Sequence, residues 1–209
     1  MRYETRMKNL PNILTGSRLV MALFMFVAMA AAAGVVPGLS IDVQSQLRLE
    51  RWAFYAFVIA SVTDFFDGWL ARKLDAVSVW GAILDPIGDK ILVCGALLGL
   101  LALGSNSGVV LPAGLILFRE FTVSALREVG AGKGVKLPVT LLAKWKTTQQ
   151  LVAIGAEMIL ASWGAFGLPP DPGVVGGFTV LAQFLLWAAT GVTLITGAQY
   201  WEAARKALT

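Results

Sequence analysis

The sequence predicts an all-α membrane protein with six transmembrane helices and both termini in the cytoplasm. Of the 209 residues, 57% are hydrophobic and only 14% are charged, whereas about a quarter of the residues in a soluble domain are charged. Apolar segments recur along the chain at close to the ~20-residue length that a transmembrane helix needs. Helix is expected in each, because the lipid interior offers no partner for an unpaired backbone group. This length favours one membrane domain over residues 1–209.

Six apolar segments are the predicted spans, and breaks that contain glycine separate several of them. The spans are Thr15–Val36, Trp52–Ala71, Val79–Leu103, Val109–Ala125, Leu141–Trp163 and Val174–Tyr200. Residues that interrupt helices lie in the breaks Val36–Gly38, Gly104–Gly108, Gly130–Gly134 and Gly167–Gly173. Polar and apolar residues do not alternate regularly, as they do in the strands of a membrane barrel. The first segment also resembles a signal peptide, but five further spans follow it, so we expect a retained helix.

Positively charged residues set the predicted orientation, because Lys and Arg concentrate on the cytoplasmic side of membrane proteins. The connections between the third and fourth spans and between the fifth and sixth contain neither residue. Basic residues lie instead before the first span, after the second, around the connection of the fourth and fifth, and after the sixth. They are Arg2, Arg6, Lys8, Arg72, Lys73, Arg127, Lys133, Lys136, Lys144, Arg205 and Lys206. Both termini are therefore expected in the cytoplasm, with a short amphipathic segment at the N-terminus. Another short amphipathic stretch is expected at the membrane interface before the second span, where Arg48 and Arg51 accompany Asp42 and Glu50.

The residue types that are missing exclude several classes of chemistry. The chain has no histidine, which removes Ser-His-Asp and Cys-His catalysis, histidine-bound zinc and imidazole as a base. Its one cysteine, Cys94, lies in an apolar stretch; it forms no intrachain disulfide and is expected to serve packing. The net charge is +4, and the basic residues lie mainly in connections and near certain helix ends. No basic stripe with interleaved aromatic residues occurs, so no nucleic-acid partner is predicted.

Four aspartates in the most apolar part of the chain predict a metal site. Asp64 and Asp67 are three residues apart, and Asp85 and Asp89 are four apart, so each pair lies on one face of its helix. A carboxylate inside a membrane costs about 2.5–3.5 kcal/mol, and four close together repel one another unless cations are present. Mg²⁺ and Mn²⁺ prefer oxygen ligands and leave positions for substrate phosphates. Two such ions ~3.5–4 Å apart would stabilise both oxygens of a displacement at phosphorus.

Small residues and one arginine beside the aspartates have two interpretations. Gly68, Ala71 and Gly81 either allow close helix packing or leave room for a bulky ligand beside the metals. Arg72 is either a cytoplasmic residue whose long side chain reaches the membrane surface or part of the ligand site.

A second polar group lies further along the chain, where Arg119, Glu120, Arg127, Lys144 and Lys146 occur in or beside apolar segments. One interpretation is ion pairing within a helix together with loop charge. The other is a cationic pocket for the phosphate of an anionic substrate, since arginine offers two parallel donors to phosphate. An acidic metal site and a basic pocket at one membrane face would suit a reaction that joins a lipid pyrophosphate to a small phosphorylated alcohol.

The acidic run reads Asp-x2-Asp-Gly-x2-Ala-Arg-x8-Gly-x3-Asp-x3-Asp and resembles the signature of the CDP-alcohol phosphotransferases. All eight defining positions are present, as Asp64, Asp67, Gly68, Ala71, Arg72, Gly81, Asp85 and Asp89. Six helices with cytoplasmic termini also fit the fold of that family. The resemblance implies that the four aspartates share two Mg²⁺ or Mn²⁺ ions and that Asp89 is the general base on the acceptor hydroxyl. It also implies that the two glycines, Ala71 and Arg72 hold the cytidine and its phosphates.

Further segments resemble the family members that use sn-glycerol 3-phosphate as the acceptor. They are Asn9–Thr15 with Arg18, Arg119–Glu128, Lys144–Thr148 and Thr190–Arg205. The implied reaction transfers a phosphatidyl group from CDP-diacylglycerol to sn-glycerol 3-phosphate and releases CMP. The implied acceptor site consists of Arg119, Arg127, Lys144 and Lys146. The resemblance also implies a multi-pass homodimer in the bilayer of the bacterial cytoplasmic (inner) membrane, with its active site facing the cytoplasm.

Two alternatives to this function are open at the level of sequence. A member of the same family with a different acceptor, such as inositol phosphate, serine or a second lipid, would carry the same acidic signature. Outside the family, carboxylates within a membrane also line cation pathways, so a cation transporter is the other candidate. The intact signature, with Arg72 and its two glycines, disfavours transport. A scaffold without chemistry is disfavoured further, because it would gain nothing from four buried acids.

Overall fold

The computed structural model describes the backbone of residues 2–74, 79–104, 107–134 and 141–208, and side chains within residues 15–64, 84, 87–104, 108–134 and 145–207. These ranges form α-helices joined by turns and contain no strand, so the all-α prediction is confirmed for the described chain. The helices are α1 (Arg2–Ala32), α2 (Val43–Leu74), α3 (Val79–Ala102), α4 (Val110–Gly132), α5 (Leu141–Ala161) and α6 (Pro172–Leu208). A short 3₁₀-helix, Ser107–Val109, precedes α4.

Each predicted span corresponds to one helix, but several helices extend beyond the apolar segment that predicted them. α1 begins at Arg2 and α2 at Val43, well before the predicted starts at Thr15 and Trp52. α4 continues to Gly132. Arg, Glu, Lys and Gln form helix well, so the backbone is helical in polar segments on either side of the apolar pattern. The segments predicted to be amphipathic before the first and second spans are therefore the first turns of α1 and α2 rather than separate elements.

Contacts between residues divide the chain into two compact units, which are described separately. Unit 1 comprises residues 1–104 and 161–168, and unit 2 comprises residues 105–160 and 169–209. Unit 1 thus contains α1, α2 and α3, whereas unit 2 contains α4, α6 and nearly all of α5. One membrane domain over residues 1–209 stays a prediction.

α1 is the central helix of unit 1, because it packs against both α2 and α3. Its buried residues recur at intervals of three and four, which places them in one stripe along the helix. The stripe consists of Thr15, Arg18, Ala22, Met25, Met29 and Ala32. Arg18 is only 1% exposed, so a charged side chain occupies a core position between the two neighbouring helices.

Glycines on α3 allow α1 to approach closely. A Cβ atom at Gly99 would lie 2.6 Å from the Sδ atom of Met29, and one at Gly88 would lie 3.1 Å from the Nε atom of Arg18. With Gly95 between them, these glycines occupy one face of α3 at intervals that match the helical repeat. Small residues of this kind let membrane helices pack with their backbones close together. The Arg18 side chain is consequently held directly against α3.

In unit 2, α4 packs against α6, and α5 presents a largely polar face to both of them. The buried side chains of α5 include Lys146, Gln150, Ile154 and Glu157, spaced at three and four residues. Gln150 donates a hydrogen bond from Nε2 to the Thr193 hydroxyl of α6 at 2.7 Å. The amide of Gln183 on α6 donates to the Glu157 carboxylate at 2.8 Å. Side-chain hydrogen bonds thus fasten α5 along its length.

Aspartates cap the first turns of two helices. The Asp42 carboxylate accepts hydrogen bonds from the amide and the hydroxyl of Ser45, at 2.9 and 2.8 Å, and these bonds hold the pKa of Asp42 below its ordinary value. Asp171 accepts from the amides of Gly173 and Val174 at 2.8 and 3.0 Å. Pro172, the first residue of α6, lacks the amide hydrogen that this position would leave unpaired. Both caps satisfy helix-start donors.

Two of the described helices have the length and apolarity of membrane spans, in the segments Thr15–Ala32 of α1 and Pro172–Ala207 of α6. The other four contain the charged residues that the sequence singled out as candidate site residues. α2 and α3 carry the four signature aspartates, and α4 and α5 carry Arg119, Glu120, Lys144 and Lys146. The six-helix architecture is therefore observed, and a six-span topology stays a proposal.

Candidate active site

An acidic cluster in unit 1 joins three helices. Asp64 lies on α2 and Asp89 on α3, and both carboxylates contact the same atom, Nη1 of Arg18 on α1. The distance from Arg18 Nη1 to Asp89 Oδ1 is 3.0 Å. Because one guanidinium nitrogen serves both groups, the two carboxylates from separate helices must lie close together. Of the four aspartates that the sequence assigns to one site, the structure brings these two together.

Exposure differs sharply within the acidic cluster. The side chain of Arg18 is 1% exposed, whereas those of Asp64 and Asp89 are 28% and 47% exposed. The guanidinium therefore contacts the carboxylates from the protein interior, and the carboxylates keep surface that a solute can reach. A site with buried positive charge behind accessible oxygen ligands can hold a cation or present a base to a substrate.

Several predicted site residues have side chains outside the described part of the structure. The helical backbone places Asp67, Gly68, Ala71 and Arg72 on α2, and Gly81 and Asp85 on α3. Their predicted roles in binding metal or nucleotide stay predictions. Among the described side chains, no three metal-binding acids, histidines or cysteines come together, since Asp64 and Asp89 are the only signature aspartates in that set.

The described residues of the acidic cluster fit a divalent metal ion. Both ligand groups are carboxylates, the hard oxygen donors that Mg²⁺ and Mn²⁺ prefer. Asp64 and Asp89 already share one cationic partner, which shows that their oxygens converge on a position suited to positive charge. Asp67 and Asp85 lie at helical spacing from Asp64 and Asp89 in the sequence, and their part in the site stays a prediction.

A basic cluster in unit 2 is organised around one carboxylate. Glu120 Oε1 accepts from Lys146 Nζ of α5 and, at 3.2 Å, from Nη1 of the adjacent Arg119. Gln150 Nε2 lies 3.5 Å from the same oxygen. Arg119 and Lys146 are each 6% exposed, so burial makes this pairing necessary, because an uncompensated buried charge is strongly destabilising.

Arg119 is further fixed against α6. Its Nη2 donates to the Thr196 hydroxyl at 3.1 Å, and its guanidinium lies 5.7 Å from the centre of the Tyr200 ring. A Cβ atom at Gly197 would lie 2.8 Å from the Arg119 side chain, so glycine provides the space in which this arginine crosses α6. The buried Nε has no hydrogen-bond partner among the described residues.

Arg127 is the exposed member of the basic cluster. Its guanidinium carbon lies 4.8 Å from the centre of the Tyr200 ring, within the range of a cation–π interaction. Its Nη2 donates to the Tyr200 hydroxyl at 2.6 Å. Tyr200 itself is 2% exposed. A buried tyrosine thus orients an accessible guanidinium that could receive an anion.

The two interpretations of the basic residues are both represented in unit 2. Arg119 and Glu120 form an ion pair within α4, whereas Lys146 pairs with Glu120 across helices. Arg119 and Lys146 nevertheless share this one carboxylate, and Arg127, a third cation, is held by Tyr200 instead. The side chain of Lys144, the fourth predicted member, lies outside the described residues. A net positive site is therefore present, and its role in binding an acceptor stays a proposal.

Sequence reasoning missed several residues that organise these clusters. Arg18 was included only in a family-like segment, although its place within an apolar span at the three-and-four spacing was a usable signal. Tyr200 and Thr196 give no local signal, because their partners are 73 and 77 residues away. Glu157 is also buried, and its Oε2 has no partner among the described residues. A carboxyl group inside an apolar helix was the available clue.

Comparison with known proteins gives these clusters a context. The profile of the CDP-alcohol phosphatidyltransferase family matches residues 8–195. The chain belongs to this family. The match includes the whole acidic signature as well as Arg18 of the acidic cluster. The CDP-alcohol phosphatidyltransferases are membrane-associated and generally depend on divalent metal ions.

Relatives cover nearly the whole chain. A CDP-diacylglycerol–glycerol-3-phosphate 3-phosphatidyltransferase of Cereibacter sphaeroides is 38% identical, with 96% of each chain covered. A protein of the same name from Rickettsia bellii is 39% identical, with 95% of this chain and 97% of the relative covered. A Mycobacterium tuberculosis protein named probable phosphatidylglycerophosphate synthase is 38% identical, with 94% and 82% covered. The similarity to these CDP-alcohol phosphatidyltransferases therefore extends through both the acidic and the basic cluster.

Proposed function

We propose that this protein transfers the phosphatidyl group of CDP-diacylglycerol to sn-glycerol 3-phosphate, which yields phosphatidylglycerophosphate and CMP. The observation that carries the proposal is the near-full-length similarity to transferases named for this reaction, at 36–39% identity in five relatives. The complete signature supports it, as do the acidic cluster of unit 1 and the basic cluster of unit 2. The chain is therefore an enzyme of anionic phospholipid synthesis.

Asp64, Asp67, Asp85 and Asp89 are the proposed ligands of two Mg²⁺ or Mn²⁺ ions. When bound, such ions neutralise the pyrophosphate of the nucleotide lipid and lower the pKa of the acceptor hydroxyl. Arg72 is proposed to bind the nucleotide phosphates through its guanidinium, and Gly68, Ala71 and Gly81 to leave room for the cytidine. The contact of Asp64 and Asp89 with one guanidinium nitrogen supports a shared cation site.

Asp89 is the proposed general base. Its carboxylate is partly exposed, and Arg18 contacts it from the buried side, so one oxygen is held while the group remains accessible. Asp89 would accept the proton of the glycerol hydroxyl as that oxygen attacks the phosphatidyl phosphorus. The bond from this phosphorus to the bridging oxygen then breaks, and CMP leaves with the electron pair. A carboxylate is a suitable base here, because the chain has no histidine.

Arg119, Arg127, Lys144 and Lys146 are the proposed binding residues for the phosphate of sn-glycerol 3-phosphate. Support comes from the pairing of two buried cations, Arg119 and Lys146, with one carboxylate, Glu120, and from the accessible guanidinium of Arg127. Arginine binds phosphate through directed, charge-assisted hydrogen bonds. A bound dianion would add the negative charge that this cluster lacks.

The same proposal places the enzyme in the bacterial cytoplasmic (inner) membrane with six spans, cytoplasmic termini and a cytoplasmic active site. The distribution of Lys and Arg supports this orientation. The family resemblance implies a homodimer. Cross-linking in detergent micelles would test the homodimer, and labelling of single cysteines introduced into Gly104–Gly108 and Gly167–Gly173 would test the topology.

The reaction is tested by incubating the purified protein with CDP-diacylglycerol and Mg²⁺, with and without sn-glycerol 3-phosphate. CMP and a phosphatidylglycerophosphate product are expected only when the acceptor is present, and EDTA should stop their formation. CMP release that requires serine, inositol phosphate or a second lipid instead would replace the proposed acceptor. Absence of CMP with every acceptor, from folded protein loaded with metal, would overturn the proposed reaction and return a cation transporter to consideration.

A further inference from the structure

We propose that Arg18 is a positioning residue of the metal site, the built-in cation that holds Asp64 and Asp89 together until metal ions replace it. This inference rests on the proposed function in taking those two aspartates as metal ligands. It adds a residue that lies outside the acidic signature, on a different helix and 46 residues before Asp64.

The location of Arg18 gives it access to both carboxylates. α1 packs against α2 and α3, and Arg18 lies in the stripe of α1 that faces these neighbours. Gly88, directly before Asp89, leaves the space in which the guanidinium lies, because a Cβ atom there would be 3.1 Å from Nε and 3.4 Å from Nη2. The guanidinium thereby lies where Oδ1 of Asp64 and Oδ1 of Asp89 both contact its Nη1 atom.

The charge balance explains why such a cation is needed. Two carboxylates that share one contact point repel each other strongly without an intervening positive charge. Because Arg18 is buried, the charge it supplies is little screened by solvent. Breaking a buried ion pair by removing one partner is costly because the other partner is left uncompensated. Arg18 therefore stabilises the ligand geometry in the metal-free protein.

The same contact makes Arg18 a competitor of the metal. Nη1 contacts Oδ1 of both Asp64 and Asp89, the kind of carboxylate oxygen that a metal ion would take as ligand. A metal that binds these oxygens must displace the guanidinium or share them with it. Metal affinity in the absence of substrate is consequently weaker than the carboxylates alone would give. Removing the guanidinium should strengthen metal binding while weakening the metal-free fold, a combination that a purely structural residue would not produce.

The test compares Arg18→Met and Arg18→Lys with the wild-type protein in detergent, without substrate. Arg48→Met is the matched control, because Arg48 is an exposed arginine of the same unit and lies about 24 Å from Asp64 along α2, at 1.5 Å per residue. Thermal unfolding is measured in EDTA and in saturating Mn²⁺, and Mn²⁺ binding is measured from the electron paramagnetic resonance signal of the free ion.

Arg18→Met is expected to lower the midpoint of thermal unfolding in EDTA by several degrees and to recover most of the loss in Mn²⁺. Its dissociation constant for Mn²⁺ should fall about tenfold, within the usual range of coupling between two bound groups. Arg18→Lys should give intermediate values, since it keeps the charge but not the planar group. Arg48→Met should match the wild type in both measurements.

An equal loss of stability in EDTA and Mn²⁺ would show that Arg18 serves packing alone and would overturn the inference. Unchanged or weaker Mn²⁺ binding by both Arg18 variants would also overturn it. If Arg18→Met does not fold, Arg18→Lys decides the question by the same two measurements. Failure of the wild type itself to bind Mn²⁺ would instead reject the proposed metal site, whereas failure to form CMP leaves these measurements unaffected.

Discussion

The charged clusters of the two units are opposite in sign, and each contains a buried arginine. In unit 1, Arg18 lies among carboxylates, and in unit 2, the carboxylate of Glu120 lies among cations that include Arg119. Both arginines occupy the buried stripe of their helix, α1 or α4. The surplus is anionic in the first cluster and cationic in the second.

Within each cluster, the charge in the minority and the charges in the majority have different roles. The minority charge, Arg18 or Glu120, is paired inside the protein and fixes the positions of the opposite charges. The majority charges include accessible members, Asp89 in unit 1 and Arg127 in unit 2. The accessible surplus charge is suited to a cation in unit 1 and to an anion in unit 2, as the proposed function requires.

The largest expected effect comes from removing a majority charge in unit 1. Asp89→Asn should lower kcat about 10³-fold, because a general base contributes 10²–10⁴-fold and an amide does not accept the proton. The protein should remain folded, since the amide oxygen can still accept from Arg18, and largely able to bind metal, since the other three proposed carboxylate ligands are unchanged. CMP formation over time is the measurement.

Asp171→Asn is the control for this change, because it makes the same substitution at the exposed cap of α6, where Asn caps as well as Asp. Turnover should be unaffected there. Wild-type kcat in the Asp89 variant would remove that residue as the base.

The next largest effect is expected from removing the minority charge of unit 2. Glu120→Gln leaves Arg119 and Lys146 buried without their carboxylate, which should lower the free energy of unfolding by about 3 kcal/mol. Added sn-glycerol 3-phosphate should restore stability more in this variant than in the wild type, since an anion would replace the lost charge. Thermal unfolding with and without the ligand measures both effects.

Glu128→Gln provides the matched comparison, because Glu128 is an exposed glutamate of the same helix. An equal loss of stability in both variants would remove the special place of Glu120 in the basic cluster. A normal ligand response in the Glu120 variant would argue against an anion site there.

A smaller effect is expected when an accessible cation of unit 2 is removed. Arg127→Ala should raise the KM for sn-glycerol 3-phosphate about tenfold, because a lost hydrogen bond to a charged group weakens binding by roughly that factor. The KM for CDP-diacylglycerol should change much less. Steady-state kinetics with each substrate varied in turn gives the two constants. Arg48→Ala is the control. Equal changes in both constants would contradict a dedicated acceptor site.

The smallest predicted effect concerns the orientation of that arginine. Tyr200→Phe keeps the aromatic ring beside Arg127 but removes the hydroxyl that accepts its hydrogen bond. The KM for sn-glycerol 3-phosphate should rise about threefold, because one hydrogen bond typically contributes 0.5–1.5 kcal/mol. An effect as large as that of Arg127→Ala would mean that the hydroxyl, and not the guanidinium, carries most of the binding.

The helices and the signature were predictable from local pattern, because apolarity and spacing are properties of short segments. The positions of Asp64 in the second helix and Asp89 in the third were predictable for this reason. The starts of α1 and α2 and the end of α4 were not, since helix includes polar residues such as Arg48, before the apolar pattern begins, and Arg127, after it ends.

The organisation of each cluster depends on contacts between distant segments. Arg18 meets Asp89 across 71 residues, and Lys146 meets Glu120 across 26. No periodicity within one helix indicates such partners, because they are set by how α1 packs on α3 and how α5 is fastened to α4. The signal that was available, a charge at a core position of an apolar helix, identifies the residue but not its partner.

The polar face of α5 bears on how the protein is made. In the proposed six-span topology, α5 alone in the bilayer would expose Lys146 and Glu157 to lipid, and a charged side chain costs up to about 2.5–3.5 kcal/mol at the centre of a span. The partner of Lys146 on α4 is synthesised before α5, whereas those of Gln150 and Glu157 on α6 are synthesised after it. In that topology, α5 is therefore expected to enter the lipid only after α6 has been synthesised, so that the last two helices are inserted together.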